Sequence, residues 1–307
     1  MMLNLLMINM KQKSAQLVLP VLHFLALRRL QRRPSGAITL LACCFILSSS
    51  VASSAGSDVF AHAKWDDLVK ACVSSTADNH STVADYDCFA GRRSKLHNYL
   101  DDLSQVSEAT LLAQTKDMQL AFLINAYNAW TVALILDNWP GVESIRDLGS
   151  LLRSPWKKSF IPFLGDTVSL DDIEHGMIRK PGRFEDPRIH FAVNCASIGC
   201  PALRREAYTA EALERQLEEQ TAQFLGDRSR NRLRGDTLEV TSLFKWYGDD
   251  FKSGWRGADS LRSFLALYAD ALGLGEQTLA AIRSGELEIS YLDYDWTLND
   301  QRDAVTP

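Results

Sequence analysis

Neither aspartate nor glutamate occurs in the first 55 residues, although the chain of 307 carries 38 of them. What this segment does hold is Lys11, Lys13, Arg28, Arg29, Arg32 and Arg33, then an apolar run at 37–47, then small residues at 48–55. A basic region, an apolar region and a small-residue cleavage zone, in that order, are the parts of a secretory signal peptide. Residues 1–55 therefore read as the signal, with the cut after Ala55. Two alternatives are weaker. Leu40-Leu41-Ala42-Cys43 resembles a lipoprotein cleavage box, but only residues 37–42 would precede it as an apolar run. An uncleaved anchor would need about 20 apolar residues, well beyond the stretch at 37–47. The expected location is periplasmic or secreted, with membrane contact only during export.

Basic charge is also scarce in the remainder. Taking the six leader cations from the chain's 33 leaves 27 lysines and arginines against 38 acids, a net charge near −11. That balance excludes nucleic acid as the expected partner. An unknown small molecule or a protein remains. Cysteine is sparse too: Cys72, Cys88, Cys195 and Cys200 follow the leader, with no C-x-x-C pair among them. No second Cys/His pair stands at zinc-binding spacing, so no metal is expected, nor any cofactor. An even number of cysteines in an exported chain permits two disulfides, and four allow three connectivities. Cys72 with Cys88 is the plainest pair.

Long apolar runs are limited to one. Residues 118–136 contain no charge, but Gln119, Asn125, Asn128 and Thr131 interrupt them, and Asp117 and Asp137 flank them. A helix apolar on all sides reads as the buried centre of a domain rather than a membrane span. Amphipathic helices are expected at 58–72 and 93–103, and a hairpin at 159–169 turning at Gly165-Asp166. A helix follows from Ser169, with Asp172 three positions on. Later come a strand at 188–194, a helix capped by Thr209 running to about 225, a strand at 237–241, helices at 242–247, 259–272 and 276–284, and a strand at 287–291. The fold class expected is α+β: a helix-rich single domain, residues 58–300, around a small β-sheet that includes 188–194.

The segment 186–201, DPRIHFAVNCASIGCP, is the most unusual. A strand at 188–194 would set Arg188, His190 and Asn194 on one face. Cys195 follows at its end, then small residues whose backbone N–H groups could converge on one point. These are the parts of a cysteine nucleophile site: Cys195 to attack, His190 as base, and oxyanion donors around 196–199. The two side chains can meet only if the chain turns at Asn194. The plainer reading bridges Cys195 to Cys200 or buries both. On the helix at 169–179, Glu174 falls on the apolar face with Leu170, Ile173, Met177 and Ile178, while His175 sits with Asp171 and Arg179. A buried carboxylate needs a partner, and Arg188 or His190 is expected to supply it. Asn125, on the apolar helix, either bonds a neighbouring segment or lines the same pocket. Trp246 and Tyr247 belong to an aromatic and charged cluster at 245–251.

The segments AFLINAYNAWTVALI, SLDDIEHGMIR, DPRIHFAVNCASIGCPAL, LFKWYGDDF and YLDYDWTLN, in that order over about 86–299, resemble the domain-of-unknown-function 547 family. Its members occur as exported bacterial proteins and, fused to other segments, in plants. The resemblance implies that the family pattern falls on Asn125, Glu174, His175, Arg188, His190, Cys195 and Cys200, and it implies no established activity. Two functions are thus expected in competition. One is a thiol-dependent hydrolase or transferase using Cys195, His190 and Glu174. The other is a non-catalytic module, stapled by disulfides, that holds a ligand or protein through Asn125, Arg188, Asn194, His175 and the Trp/Tyr cluster.

Overall fold

Helix α1 (Ala63–Cys72) buries Trp65, Leu68, Val69 and Cys72, the i, i+3, i+4, i+7 stripe of a helix packed on one side. In this computed structural model the described residues are 60–150 and 153–302, and the signal peptide expected at 1–55 lies outside them. Strand β1 (Val73–Ser75) leaves α1 directly and pairs antiparallel with β2 (Thr82–Ala84). Helix α2 (Tyr86–Gly91) starts where the Asp85 carboxylate accepts from the Cys88 amide at 2.8 Å. A disulfide joins Cys72 to Cys88, tying the end of α1 to α2 across a Cα separation of 5.4 Å. Helix α3 (Arg93–Ser104) repeats the one-sided stripe with Leu96, Tyr99, Leu100 and Leu103. A short α4 (Glu108–Leu112) follows, capped by Ser107.

Helix α5 (Lys116–Leu136) is the long apolar helix, opened by the Thr115 hydroxyl, which accepts from the Met118 amide. It is buried along nearly its whole length, on every face. Core packing rather than membrane burial accounts for its composition. Its two asparagines are satisfied inside: Asn125 Nδ2 donates to the Tyr208 carbonyl at 2.8 Å and its Oδ1 accepts from the Tyr208 amide at 2.9 Å. Asn128 Nδ2 donates to the Ala192 carbonyl at 3.0 Å, and its Oδ1 accepts from the Asn194 amide at 2.8 Å. Two asparagines on one face therefore hold the backbone of two later segments.

Strands β3 (Ile161–Phe163) and β4 (Asp166–Val168) form the expected hairpin, but the turn is Leu164-Gly165, one residue early. Both residues have positive φ, 56° and 88°, as a tight two-residue hairpin turn requires. The helix after Ser169 also differs from expectation: residues Asp172–Ile178 wind as a π-helix. Its start matches the sequence reading. Ser169 Oγ and Asp172 Oδ2 lie 2.6 Å apart, the Ser169 amide donates to Asp172 and the Asp172 amide to Ser169.

Residues 188–194 are not a strand. Pro187–Phe191 is a 3-10 turn, with proline at its first position and the Asp186 carboxylate accepting from the Arg188 amide at 2.9 Å. An aspartate before a proline is a turn-opening pair, and it overrides the alternation of apolar residues. Ile189 and Ala192 belong to one buried cluster and Phe191 to a second, so this turn lies where the two meet.

Helix α6 (Leu213–Gly226) begins at 213, later than Thr209, which caps nothing with its side chain. Strand β5 (Arg232–Arg234) pairs antiparallel with β6 (Thr237–Val240). Then come α7 (Leu243–Trp246), α8 (Leu261–Leu267), α9 (Glu276–Ser284) and β7 (Glu288–Tyr291), which pairs parallel with β6. The architecture is helix-rich α+β with small sheets. Its three-stranded sheet is built from 232–240 and 288–291 and excludes the segment expected to lie in it.

After β7 the chain runs back as a strap. The Leu298 amide donates to the Glu143 carbonyl and the Ile198 amide to the Thr297 carbonyl, both at 2.8 Å. Asp300 pairs with Ala84, and the Tyr86 hydroxyl reaches Asn299 at 2.8 Å. This strap closes the site described next.

Candidate functional site

Past the 3-10 turn the backbone bends at Asn194, as the sequence required for any meeting of Cys195 with other groups. Three contacts fix the bend. The Asn194 amide is held by Asn128, Asn194 Nδ2 donates to the Pro201 carbonyl at 2.7 Å, and its Oδ1 accepts from the Ala196 amide at 3.0 Å. Ala196 takes a φ of 59° to complete the turn. The loop is then closed by a disulfide between Cys195 and Cys200, with Cα atoms 6.0 Å apart. Gly199 lies under the strap, so close that a Cβ there would meet the Asp295 carbonyl and the Tyr294 ring at 2.9 Å. Only glycine fits.

Two features of this loop bear on the nucleophile expectation. Cys195 sulfur is bonded to Cys200 and is not a thiol. Of the backbone donors expected at 196–199, three are committed elsewhere: the Ala196 amide to Asn194, that of Ile198 to Thr297, and that of Gly199 to Asp295. His190 is not turned toward Cys195 either. Its Nε2 donates to Asp250 Oδ2 at 2.7 Å, and its ring stacks on Tyr247 with centroids 4.1 Å apart. Burial pushes the imidazole below its usual pKa, against the pull of Asp250 and Glu174.

Asp250 is the hub behind the site. Arg179 Nε and Nη2 reach it at 2.7 and 3.1 Å, beside His190. Burial alone would raise its carboxyl, but hydrogen bonds from His190 and Arg179 outweigh burial and hold it well below the carboxylate range. Arg188 is buried away from the site. It bonds Asp186 at 2.7 Å, Glu214 at 2.6 Å and Glu218 at 3.0 Å, and lies over the Trp255 ring. Its expected partner was Glu174; the partners found are the i, i+4 acids of α6. Asn125 likewise is fully buried and holds the Tyr208 backbone.

Glu174 does meet Cys195. The two line one cavity of about 200 Å³, together with Tyr127, Trp156, Asp171, His175, Trp246, Tyr247, Tyr294 and Trp296. The π-helix brings Glu174 to it and the residue before that helix is Asp171; α5 brings Tyr127, α7 leads to Trp246 and Tyr247, and the strap supplies Tyr294 and Trp296. Glu174 is only 7% exposed. Tyr127 and Tyr247 face it across the cavity, and burial first, then the Glu174 charge, keeps both phenols well above their usual pKa. They therefore stay protonated.

His175 Nδ1 lies 3.8 Å from Glu174 Oε1, and its Nε2 lies 3.7 Å from Asp171. Both acids are within ion-pair reach of the imidazole. Arg179 Nη1 lies 2.8 Å from the same Nδ1. The rings form a continuous wall: Tyr294 packs on Trp296 at 4.5 Å, Trp246 on Tyr294 at 4.9 Å, and Trp156 on Trp296 at 5.7 Å. Tyr294 also touches Ser197 and both bridge sulfurs.

Sequence reasoning found Glu174, His175, Cys195, Trp246 and Tyr247 here but not Tyr127, Trp156, Tyr294 or Trp296. The aromatic pair of the strap was visible in YLDYDWTLN, whose density of tyrosine and tryptophan outside any regular element was the available signal.

Comparison with known proteins adds the following. No curated protein matches the chain, and no solved structure does. Residues 111–225, less than half of the chain, match the family model described as a protein of unknown function, DUF547. That match supports the resemblance over the segment that contributes Tyr127, Glu174, His175 and Cys195 to the cavity, and it names no activity.

Proposed function

We propose that the chain is an exported binding module that holds a small organic ligand in the cavity between Glu174 and the tryptophan and tyrosine wall. One observation carries this reading: a concave site with a buried carboxylate and six aromatic side chains, in which the one sulfur on the wall is already bonded. Apolar and aromatic walls with few, fixed polar groups are the ordinary makeup of a small-molecule pocket. The two bridges suit an oxidising compartment, which agrees with the leader read from residues 1–55.

The test is a small-fragment screen on the purified protein by ligand-observed NMR, repeated on Trp246→Ala. Trp246 is 46% exposed, so its truncation leaves the core intact. Fragments whose signal disappears in Trp246→Ala support the reading. A screen in which no fragment depends on Trp246 sinks it. Iodoacetamide treatment without reductant separates the enzyme reading: Cys195 stays unmodified in a binding module, whereas rapid alkylation there would restore the nucleophile.

A further inference from the structure

Resting on that reading, we infer the chemical class of the ligand: the cavity takes an organic cation of the methylated-ammonium kind, seated between Glu174 and the Trp246, Tyr294 and Trp296 rings. The first support is a charge left over. Among the described residues no lysine or arginine forms an ion pair with Glu174, and the one basic group at ion-pair distance is the His175 imidazole, 3.8 Å away. Arg179, the nearest arginine in sequence, is occupied by Asp250 and His175. A buried carboxylate is costly unless a cation is well paired with it, and Arg179 reaches Glu174 through its charge alone. A ligand cation seated in the cavity would complete the pairing.

The second support is the composition of the wall. Asp171 and Glu174 line the cavity, and no lysine or arginine does. Aromatic faces attract cations, above all alkylated ammonium groups, which bind in cages of tryptophan and tyrosine. Two rings of this wall already do so within the protein. Arg146 lies over Trp296 at 5.4 Å and Arg179 over Tyr247 at 4.7 Å. Trp246 is half open to solvent and gives a newcomer a ring. The third support is size. At about 30 Å³ for each water-sized group, 200 Å³ accommodates about seven heavy atoms, the number in choline.

Calorimetric titration with choline and with tetramethylammonium tests this, against 3,3-dimethyl-1-butanol as the uncharged isostere of choline, and against glucose and acetate. Choline or tetramethylammonium should bind at least tenfold more tightly than the isostere. Glu174→Gln should weaken the cation at least tenfold while leaving the isostere unchanged, and Trp246→Ala should weaken both cations. Should Glu174→Gln fail to fold, Asp171→Asn at the partly exposed second acid provides the charge test, with a loss of at least threefold expected. Equal affinity for choline and its isostere overturns the inference, as does a cation affinity indifferent to Glu174 and Asp171. If glucose or acetate saturates a Trp246-dependent site and the cations do not, the cation inference fails and the binding module stands. If nothing in the fragment screen depends on Trp246, both fail.

Discussion

The hydroxyl of Tyr294 lies 3.2 Å from the sulfur of Cys195, and equally close to that of Cys200. A covalent loop and an aromatic wall are thereby made into one body. Tyr294 is packed against Trp246 and Trp296, so anything that opens the bridge is felt by the indoles.

The two bridges should therefore differ in what their loss does. By loop-closure entropy alone, removing Cys195–Cys200, five positions apart, costs about 2 kcal/mol, and Cys72–Cys88, sixteen apart, about 3 kcal/mol. Urea unfolding of the paired serine variants checks the order. Tryptophan emission should shift in the folded Cys195→Ser/Cys200→Ser protein but not in Cys72→Ser/Cys88→Ser. An unchanged spectrum in the first would show that the wall does not lean on the bridge.

Asn128 holds both sides of the turn that leads to Cys195, through the Ala192 carbonyl and the Asn194 amide. Replacing it by leucine keeps the volume and leaves two buried backbone groups without partners, each worth about 1–3 kcal/mol. Thermal unfolding of Asn128→Leu should begin about 4–24 °C lower. Asn128→Asp, which keeps one acceptor, should lose less. Equal losses would mean that the Asn194 contact contributes nothing.

His62 is buried beside Tyr99, its Nδ1 2.8 Å from the phenol oxygen. Burial lowers its pKa to about 4 from an ordinary 6.5. Because the unfolded chain takes the proton more readily, the folded state loses stability as pH falls from about 6.5 toward 4, by up to about 3 kcal/mol, and the loss is complete below 4. Above 6.5 the group contributes no pH dependence. Denaturant titrations from pH 4 to 8 on the wild type and His62→Gln should show a shallower acid slope in the variant. Parallel curves would place the acid sensitivity elsewhere.

Legibility in the sequence followed locality. Helices α1, α3 and α9 could be read from one-sided spacing, and α5 from its length without charge. That Glu174 would be buried also followed from its place in the stripe. Its partners did not, because Tyr127 precedes it by a long stretch of chain and Tyr247 follows by another, and neither distance leaves a mark on periodicity. The turn at 187–191 was misread because alternation in RIHFAVN imitates a strand, whereas Asp186-Pro187 had already set a turn. Arg188 and His190 then found acids on α6 and at Asp250, which no local rule connects to them.

The strap that returns after β7 makes the cavity a product of order as well as of shape. A chain emerging amino end first from a ribosome lacks Tyr294 and Trp296 until residues 294–296 are free. Until then Gly199 has no ring over it and Glu143 no amide from Leu298. The cavity therefore gains one of its walls only after every helix that borders it has been made.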